Sequence, residues 1–558
     1  MTIDISDFAF NKFSERIMKR NNMCPFCYIR QLFMKKKPSS VNPTFEDYPV
    51  GAAATPPMGW SSWNTFANRI NEKLILDTAK AMKDKGLLDA GYRYVNLDDC
   101  WQSSLRTEDG ELVADYETFP NGMEYLVKEV NKLGFKLGAY TSNGTLTCED
   151  LPASLHRESV DAYTLAKWGV EYFKYDFCHH EYLSKNAPLV YSISISQFDG
   201  HPIEYSVQNA VLSGLAKFMT DTKLPSGHYV SGLDANLGAI TYNNIEVDED
   251  GKYVLTINIK KSGQFSKFLV AKINDEKEYE IEFPDQKKFN VTARFQVIVE
   301  LKAGKNVIKL YNPITSKADS EMYQYRRMGY ALKRATERVA KEQKRPEKPI
   351  TFSICEWGWG RPYNWGAKAG NLWRTTPDIK PIWIWIKLIY GHTVKLYAKS
   401  SQGHYNDPDM LEVGNGKLTY NQNVSHFSLW CMMNSPLILG NDIRGMSDQV
   451  REIVTNKALI AINQDPLCKA AKRVHKSKVD VLAKPLADGS VAVCFFNKTN
   501  GKKTAKFDLN KLCDDSYIAM KKATSYHAVE QWTGEELDTA GELVVELDKN
   551  ASKVYIVR

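Results

Sequence analysis

From about residue 53 the apolar positions fall into two alternating rhythms. Residues 74–88, 123–133 and 161–168 carry apolar side chains at helical spacing, and Gly91, Gly134 and Gly169 stop these runs. Short continuous apolar runs at 92–97, 135–141 and 171–177 have the length of buried strands. After a long break the same rhythm returns with a helix over 322–339 and a strand over 350–355, and it continues to about residue 464. Strands alternating with helices imply a parallel sheet, either doubly wound or closed into an eight-fold barrel.

The break, about 187–316, reads as β only. Tyr253, Leu255, Ile257 and Ile259 alternate with polar or smaller residues, as do Phe295, Val297, Val299 and Leu301, with turn signals at Asp250-Gly251 and Ala303-Gly304. This predicts an all-β module of sandwich size set into the α/β domain. Short alternating strands return from about 470 to the end and predict a second small sandwich. The expected organisation is therefore an extension over 1–50, a catalytic domain over 51–186 and 317–466, an inserted β-sandwich over 187–316, and a C-terminal β-sandwich over 467–558.

The length of 558 residues requires more than one ordinary domain. The net charge of +7 is spread over 73 basic and 66 acidic residues, so nothing points to nucleic acid or a membrane as partner. No run approaches the length of a transmembrane helix, and the first residues show no apolar signal core. A cytoplasmic, bacterial protein is the expectation, with its ten cysteines mostly thiols. Cys24-Pro-Phe-Cys27 has the look of half a zinc site, but no second pair follows nearby, so no metal and no cofactor are expected.

Chemistry concentrates where the predicted strands end. Asn96-Leu-Asp-Asp-Cys-Trp101 places two adjacent carboxylates beside an aromatic ring, and Lys174-Tyr-Asp-Phe-Cys178 puts Lys174 and Asp176 on one face of a strand. A lysine in that position is expected to lower the Asp176 pKa and keep the carboxylate ionised, as a nucleophile requires. Cys355-Glu-Trp357 and Trp373-Arg-Thr-Thr-Pro-Asp378 add further acids at strand ends. Carboxylates and aromatic rings gathered at one barrel mouth, without a metal-ligand pattern, point to sugar chemistry.

These segments, together with Thr55-Pro-Pro-Met-Gly-Trp-Ser-Ser-Trp-Asn64, Leu137-Gly-Ala-Tyr-Thr141, Ser353-Ile-Cys-Glu-Trp357 and Asn406-Asp-Pro-Asp-Met410, resemble in order the motifs of glycoside hydrolase family 27, whose members are mainly α-galactosidases. The inserted stretch, with Gly238-Ala-Ile-Thr-Tyr-Asn and Gly304-Lys-Asn-Val-Ile-Lys-Leu-Tyr311, resembles more weakly a carbohydrate-binding module of the family 35 type. The resemblance implies a (β/α)8 TIM barrel and a retaining, exo-acting α-galactosidase, with Asp176 as nucleophile and Asp378 as acid/base. It implies that Trp63 stacks on the sugar, that Asp98 and Asp99 hold O4 and O6, and that Lys174 holds O3 or O4. Tyr140 and Cys148 would line the pocket, and Glu356 and Arg374 would contact the 2- and 3-hydroxyls. Asp407 and Asp409 are architectural on this reading. Cys148 and Cys178 match a disulfide pair of the family, whereas Cys100 and Cys355 lack their usual partners.

Within the family, Trp359 in Glu356-Trp-Gly-Trp359 fills the space that N-acetylgalactosaminidases keep for an acetamide, so galactose is favoured. Asp98 and Asp99 are both short, unlike the lengthened acid of β-L-arabinopyranosidases. The partner expected is an α-galactoside oligosaccharide or glycan. A degenerate barrel that only binds carbohydrate is the reading from another class, and the presence of both Asp176 and Asp378 opposes it.

Overall fold

Eight short strands form the centre of the molecule: β1 (Met58–Ser61), β2 (Tyr94–Asn96), β3 (Lys136–Ser142), β4 (Tyr172–Asp176), β5 (Thr351–Ile354), β6 (Leu372–Arg374), β7 (Tyr405–Asp407) and β8 (Leu437–Leu439). The computed structural model describes residues 45–260, 266–283 and 292–558; Cys24, Cys27 and most of the expected N-terminal extension lie outside the described residues. Each of β1 to β6 pairs in parallel with the strand that follows it, and β1 pairs with β8. Leu411, just past β7, closes the ring against β8: its N–H donates to the Ile438 carbonyl at 2.7 Å, and its carbonyl accepts from the Gly440 N–H at 2.9 Å. Of the two parallel architectures the pattern allowed, the chain adopts the eight-stranded barrel.

Helices α1 (Glu72–Asp84), α2 (Gly122–Lys132), α3 (Glu158–Trp168), α4 (Lys317–Glu342), α5 (Trp383–Thr393) and α6 (Tyr420–Met432) follow strands of this ring. Local chemistry sets their ends. The Asn71 side chain accepts from the Leu74 N–H at the start of α1, and Leu74, Ile75, Thr78, Ala79 and Met82 give that helix one buried face. Gly169 stops α3 at φ 87°, where a side chain would be strained. Between β5 and β6 two 3-10 turns, Pro362–Asn364 and Gly366–Lys368, stand in place of an α-helix. Gly138 in β3 is needed for close approach, because a Cβ there would lie 2.0 Å from the Asn96 Oδ1 at the end of β2.

The long break lies between β4 and α4, in a loop on the face where the catalytic side chains of such barrels stand. Its strands, from Leu189 to Tyr311, make a five-stranded and a six-stranded sheet. Val190, Ile193 and Ile195 of one sheet and Ile240, Leu269 and Ile308 of the other share one core. This sandwich is fastened to α4 and to the loop after β3. On its edge strand Lys277–Phe283, Glu278 accepts from Tyr311 and Tyr323, Glu280 and Glu282 pair with Arg327, and Glu282 lies 3.9 Å from His156 of the loop after β3; on the next strand Phe268 packs edge-on against Tyr323. A capping box of Ser316 and Asp319 then restarts the barrel at α4, a device worth about 1 kcal/mol.

Residues 472–557 form the C-terminal antiparallel sandwich, with a six-stranded and a two-stranded sheet. From it Lys484, wholly buried, reaches the barrel domain and donates to Asn434 Oδ1 at 2.7 Å and to the Ile462 carbonyl. Burial pushes its pKa down to about 8, from an ordinary value of 10.5. Between about pH 8 and 10.5 the unfolded chain therefore binds more protons at this site than the folded one, and stability rises with pH. Below pH 8 both states are protonated and the full cost, about 3 kcal/mol, is carried. In Lys484→Met the slope from this site disappears. Thermal midpoints of the two proteins should diverge in favour of the wild type as pH rises from 8 to 10; parallel curves would refute the assignment.

Candidate active site

The polar side chains at the C-terminal ends of β2, β4, β6 and β7 converge around a cleft open to solvent, walled by Asp98, Lys174, Cys355, Arg374, Asp407 and Asp409 among others. Backbone strain gathers in the loops above it. Cys100, Asp150, His156, His179, Trp357, Arg361 and Asp409 all have φ between 51° and 80°, a region that costs a non-glycine residue about 1 kcal/mol or more.

Asp98, buried at the end of β2, accepts from Lys174 Nζ through Oδ2 at 2.7 Å, and Lys174 stands over the Tyr140 ring, 5.1 Å from its centroid. The same ammonium lies 3.7 Å from Asp176 Oδ2. Asp176 is 5 % exposed; its Oδ1 accepts from the Phe177 N–H at 2.8 Å, and its carbonyl accepts from the Asn143 N–H and the Tyr325 hydroxyl. Across the mouth Arg374 Nη2 donates to Asp378 Oδ1 at 3.1 Å and to Asp409 Oδ2 at 2.8 Å. The Asp378 side chain is 47 % exposed, so a group arriving from solvent can reach it.

The Cys148–Cys178 pair is joined as a disulfide, with both sulfurs and an Asp176 carboxylate oxygen within 4.8 Å of one another. A His179–Asp150 contact of 3.0 Å ties the same two loops alongside it. Cys100 and Cys355 are free thiols, in line with their missing partners. Asp99 is held from behind by the Glu149 and Cys100 N–H groups, and Trp63 is half-buried on the short helix Trp63–Phe66 after β1. Trp359 is half-buried against Trp357. Asp176, Asp378 and Glu356 lie outside the cavity wall itself; Glu356 is fully buried, with Oε2 accepting from the Gly360 N–H at 2.7 Å.

The electrostatics correct one expectation. The Asp176 carboxyl sits above its ordinary value, because burial and the neighbouring Asp378 and Asp98 outweigh the pull of Lys174. The sequence shows the adjacent lysine but not the depth of burial. Lys174 is itself held well above its usual value: burial opposes this, and Asp98, Cys355 and Asp176 overcome it. The surrounding protein shields half-exposed Asp378 from some water and pushes it up, yet Arg374, Lys174 and Lys380 together bring it below the ordinary carboxylate value. Burial pushes Asp99 up to about 7, and burial with the adjacent Glu321 holds Glu356 well above the carboxylate range. Sequence reasoning set aside Asp407 and Asp409, which line the cavity, and missed Glu321 of α4 entirely, since helical spacing alone marks it only as a buried position.

Comparison with known proteins follows the same outline. Residues 55–226 and 300–465 match the family model described as alpha galactosidase A, and 476–557 match that of the alpha galactosidase C-terminal beta sandwich domain. The first match is interrupted within the inserted sandwich. An alpha-galactosidase of Cyamopsis tetragonoloba is 30% identical over 91% of this chain and 87% of its own. The crystal structure of alpha-galactosidase I from Mortierella vinacea superposes with a TM-score of 0.62, at 24% identity, over 91% of this chain and 98% of that one. The Saccharomyces cerevisiae alpha-galactosidase solved with raffinose gives 0.60 at 22% identity, over 92% and 99% of the two chains. Barrel and C-terminal sandwich thus agree with the matched family models, and this chain belongs to the alpha-galactosidase family.

Proposed function

We propose that the protein is a retaining, exo-acting α-galactosidase that releases terminal α-galactosyl residues from raffinose-type or related oligosaccharides by double displacement. The observation that carries this reading is the placement of two carboxylates at one barrel mouth, Asp176 beside Lys174 and Asp378 beside Arg374, with only the second widely open to solvent. Asp176 attacks the anomeric carbon while Asp378 gives its proton to the departing oxygen. Asp378 then takes a proton from the water that releases the sugar.

The proton preference of the two carboxyls runs against the first step, with Asp176 raised and Asp378 lowered. The charge of Asp378 raises Asp176, so binding of the sugar has to shift the proton toward Asp378. Galactose hydroxyls that take hydrogen bonds from Lys174 and Arg374 weaken the hold of Arg374 on Asp378 and do this in part. Asp98 and Lys174 form a charge-assisted pair that suits the axial O4 and its neighbours, with Trp63 and Tyr140 as the apolar side of the pocket. Cys148 contributes through the disulfide against Asp176.

Initial rates on nitrophenyl α-galactoside, α-N-acetylgalactosaminide and β-L-arabinopyranoside test the assignment. The galactoside should be fastest. The arabinopyranoside, lacking one CH₂OH arm, should fall about 10- to 200-fold, because a pocket rejects a missing group only weakly. The acetamido sugar should be slower still, because Trp359 occupies the space beside C2. Preference for the acetamido sugar would overturn the reading.

A further inference from the structure

Asp409 is unused in this scheme, yet it holds both elements that define the acid/base. Its Oδ2 accepts from Arg374 Nη2 at 2.8 Å and from the Ile379 N–H at 2.8 Å, the amide that follows Asp378. The same Arg374 nitrogen serves Asp378 Oδ1 at 3.1 Å and the Thr376 carbonyl at 3.2 Å. Asp409 is 6 % exposed and strained at φ 80°, and it is fixed at every polar atom. Its N–H donates to Asp407 Oδ1, its Oδ1 accepts from the Met410 N–H, and its carbonyl accepts from Trp430 Nε1, each at 2.8 Å.

An arginine paired with Asp378 alone would oppose its protonation in full. We propose that Asp409 is a positioning residue for the acid/base: it shares Arg374 with Asp378, offsets the positive charge that Asp378 meets, and fixes the Asp378 backbone through the Ile379 amide. This rests on the reading of Asp378 as acid/base. The charged and titratable groups facing Asp378 are Arg374, Lys174, Lys380, Asp176 and Cys355, with Asp407 and Asp409 acting through Arg374. Of these, Asp409 makes the shortest contact with Arg374.

The test is the pH profile of kcat/KM on dinitrophenyl α-galactoside and on melibiose. In Asp409→Asn the arginine is left with its whole charge, so the alkaline limb, which reports loss of the acid's proton, should move down by about one pH unit. Melibiose, whose leaving group needs that proton, should lose about 10-fold more than a dinitrophenyl galactoside. A uniform loss with the limb unmoved would show a purely architectural role and overturn the proposal. Asp409→Glu keeps the charge and should leave the limb within about 0.3 unit of wild type. A limb displaced there as far as one unit would equally overturn it, and this variant decides if the asparagine protein does not fold. Asp378→Asn, measured alongside, should abolish the alkaline limb on the activated substrate. If the limb persists in that variant, the reading of Asp378 fails instead.

Discussion

Asp176→Ala will lose turnover on every α-galactoside, including those with the most acidic phenols, by about four orders of magnitude or more. The carboxylate supplies the electron pair of the first bond, so no choice of leaving group substitutes for it. The surroundings are built to hold this one group still: the Phe177 amide on Oδ1, Lys174 3.7 Å from Oδ2, and the Asn143 amide and Tyr325 hydroxyl on the carbonyl behind it. The variant loses the two carboxylate contacts but keeps the two on the backbone carbonyl, and Lys174 keeps its bond to Asp98, so it should retain its fold. In the wild type, NMR of the first-formed sugar should show α-galactose, the outcome of two inversions. A β-anomer released first would mean a single displacement by water, and Asp176 would then be a base.

Much of this was legible in the residues. Glycine-stopped helical runs alternating with buried strands gave parallel architecture, and the seven motifs located the strand ends that form the mouth. The distinction between an open doubly wound sheet and a barrel was not in the pattern, because closure depends on Leu411, a residue outside any regular strand. The energetics of the acids were misjudged for a related reason. Lys174 two positions before Asp176 is visible in the chain, but the burial and the facing Asp378 that raise Asp176 belong to the folded mouth and to a strand some 200 residues away. The inserted sandwich accounts for that separation. It enters after β4 and returns at α4, so it lengthens the chain between the two acids while the parallel register of β4 on β5 and β5 on β6 is kept. The acidic edge strand that fastens it to Arg327 read only as an alternating strand, since partners on another element leave no mark in local periodicity.

Asp378→Ala will separate substrates by their leaving groups. With melibiose or raffinose the departing oxygen belongs to a sugar alcohol and needs a proton, so the first step should slow by about 10²- to 10⁴-fold. A dinitrophenolate departs unaided, so with that substrate the first step is largely spared, and the second step becomes limiting because no base activates water. The galactosyl–Asp176 ester should then accumulate and be visible as a burst of phenol and as a mass increase on the intact protein. Azide needs no base; it should reach the intermediate through the opening left at Asp378, a side chain 47 % exposed in the wild type. It attacks the face opposite the ester, so a β-linked intermediate gives the α-galactosyl azide. In Asp176→Ala the same anion can act only directly on the substrate, from the side where the carboxylate stood, and the product is the β-azide. The two variants thus yield opposite anomers if Asp176 is the nucleophile and Asp378 the acid/base. The β-azide from Asp378→Ala together with the α-azide from Asp176→Ala would exchange the two roles, and with them the meaning of the Lys174 and Arg374 contacts.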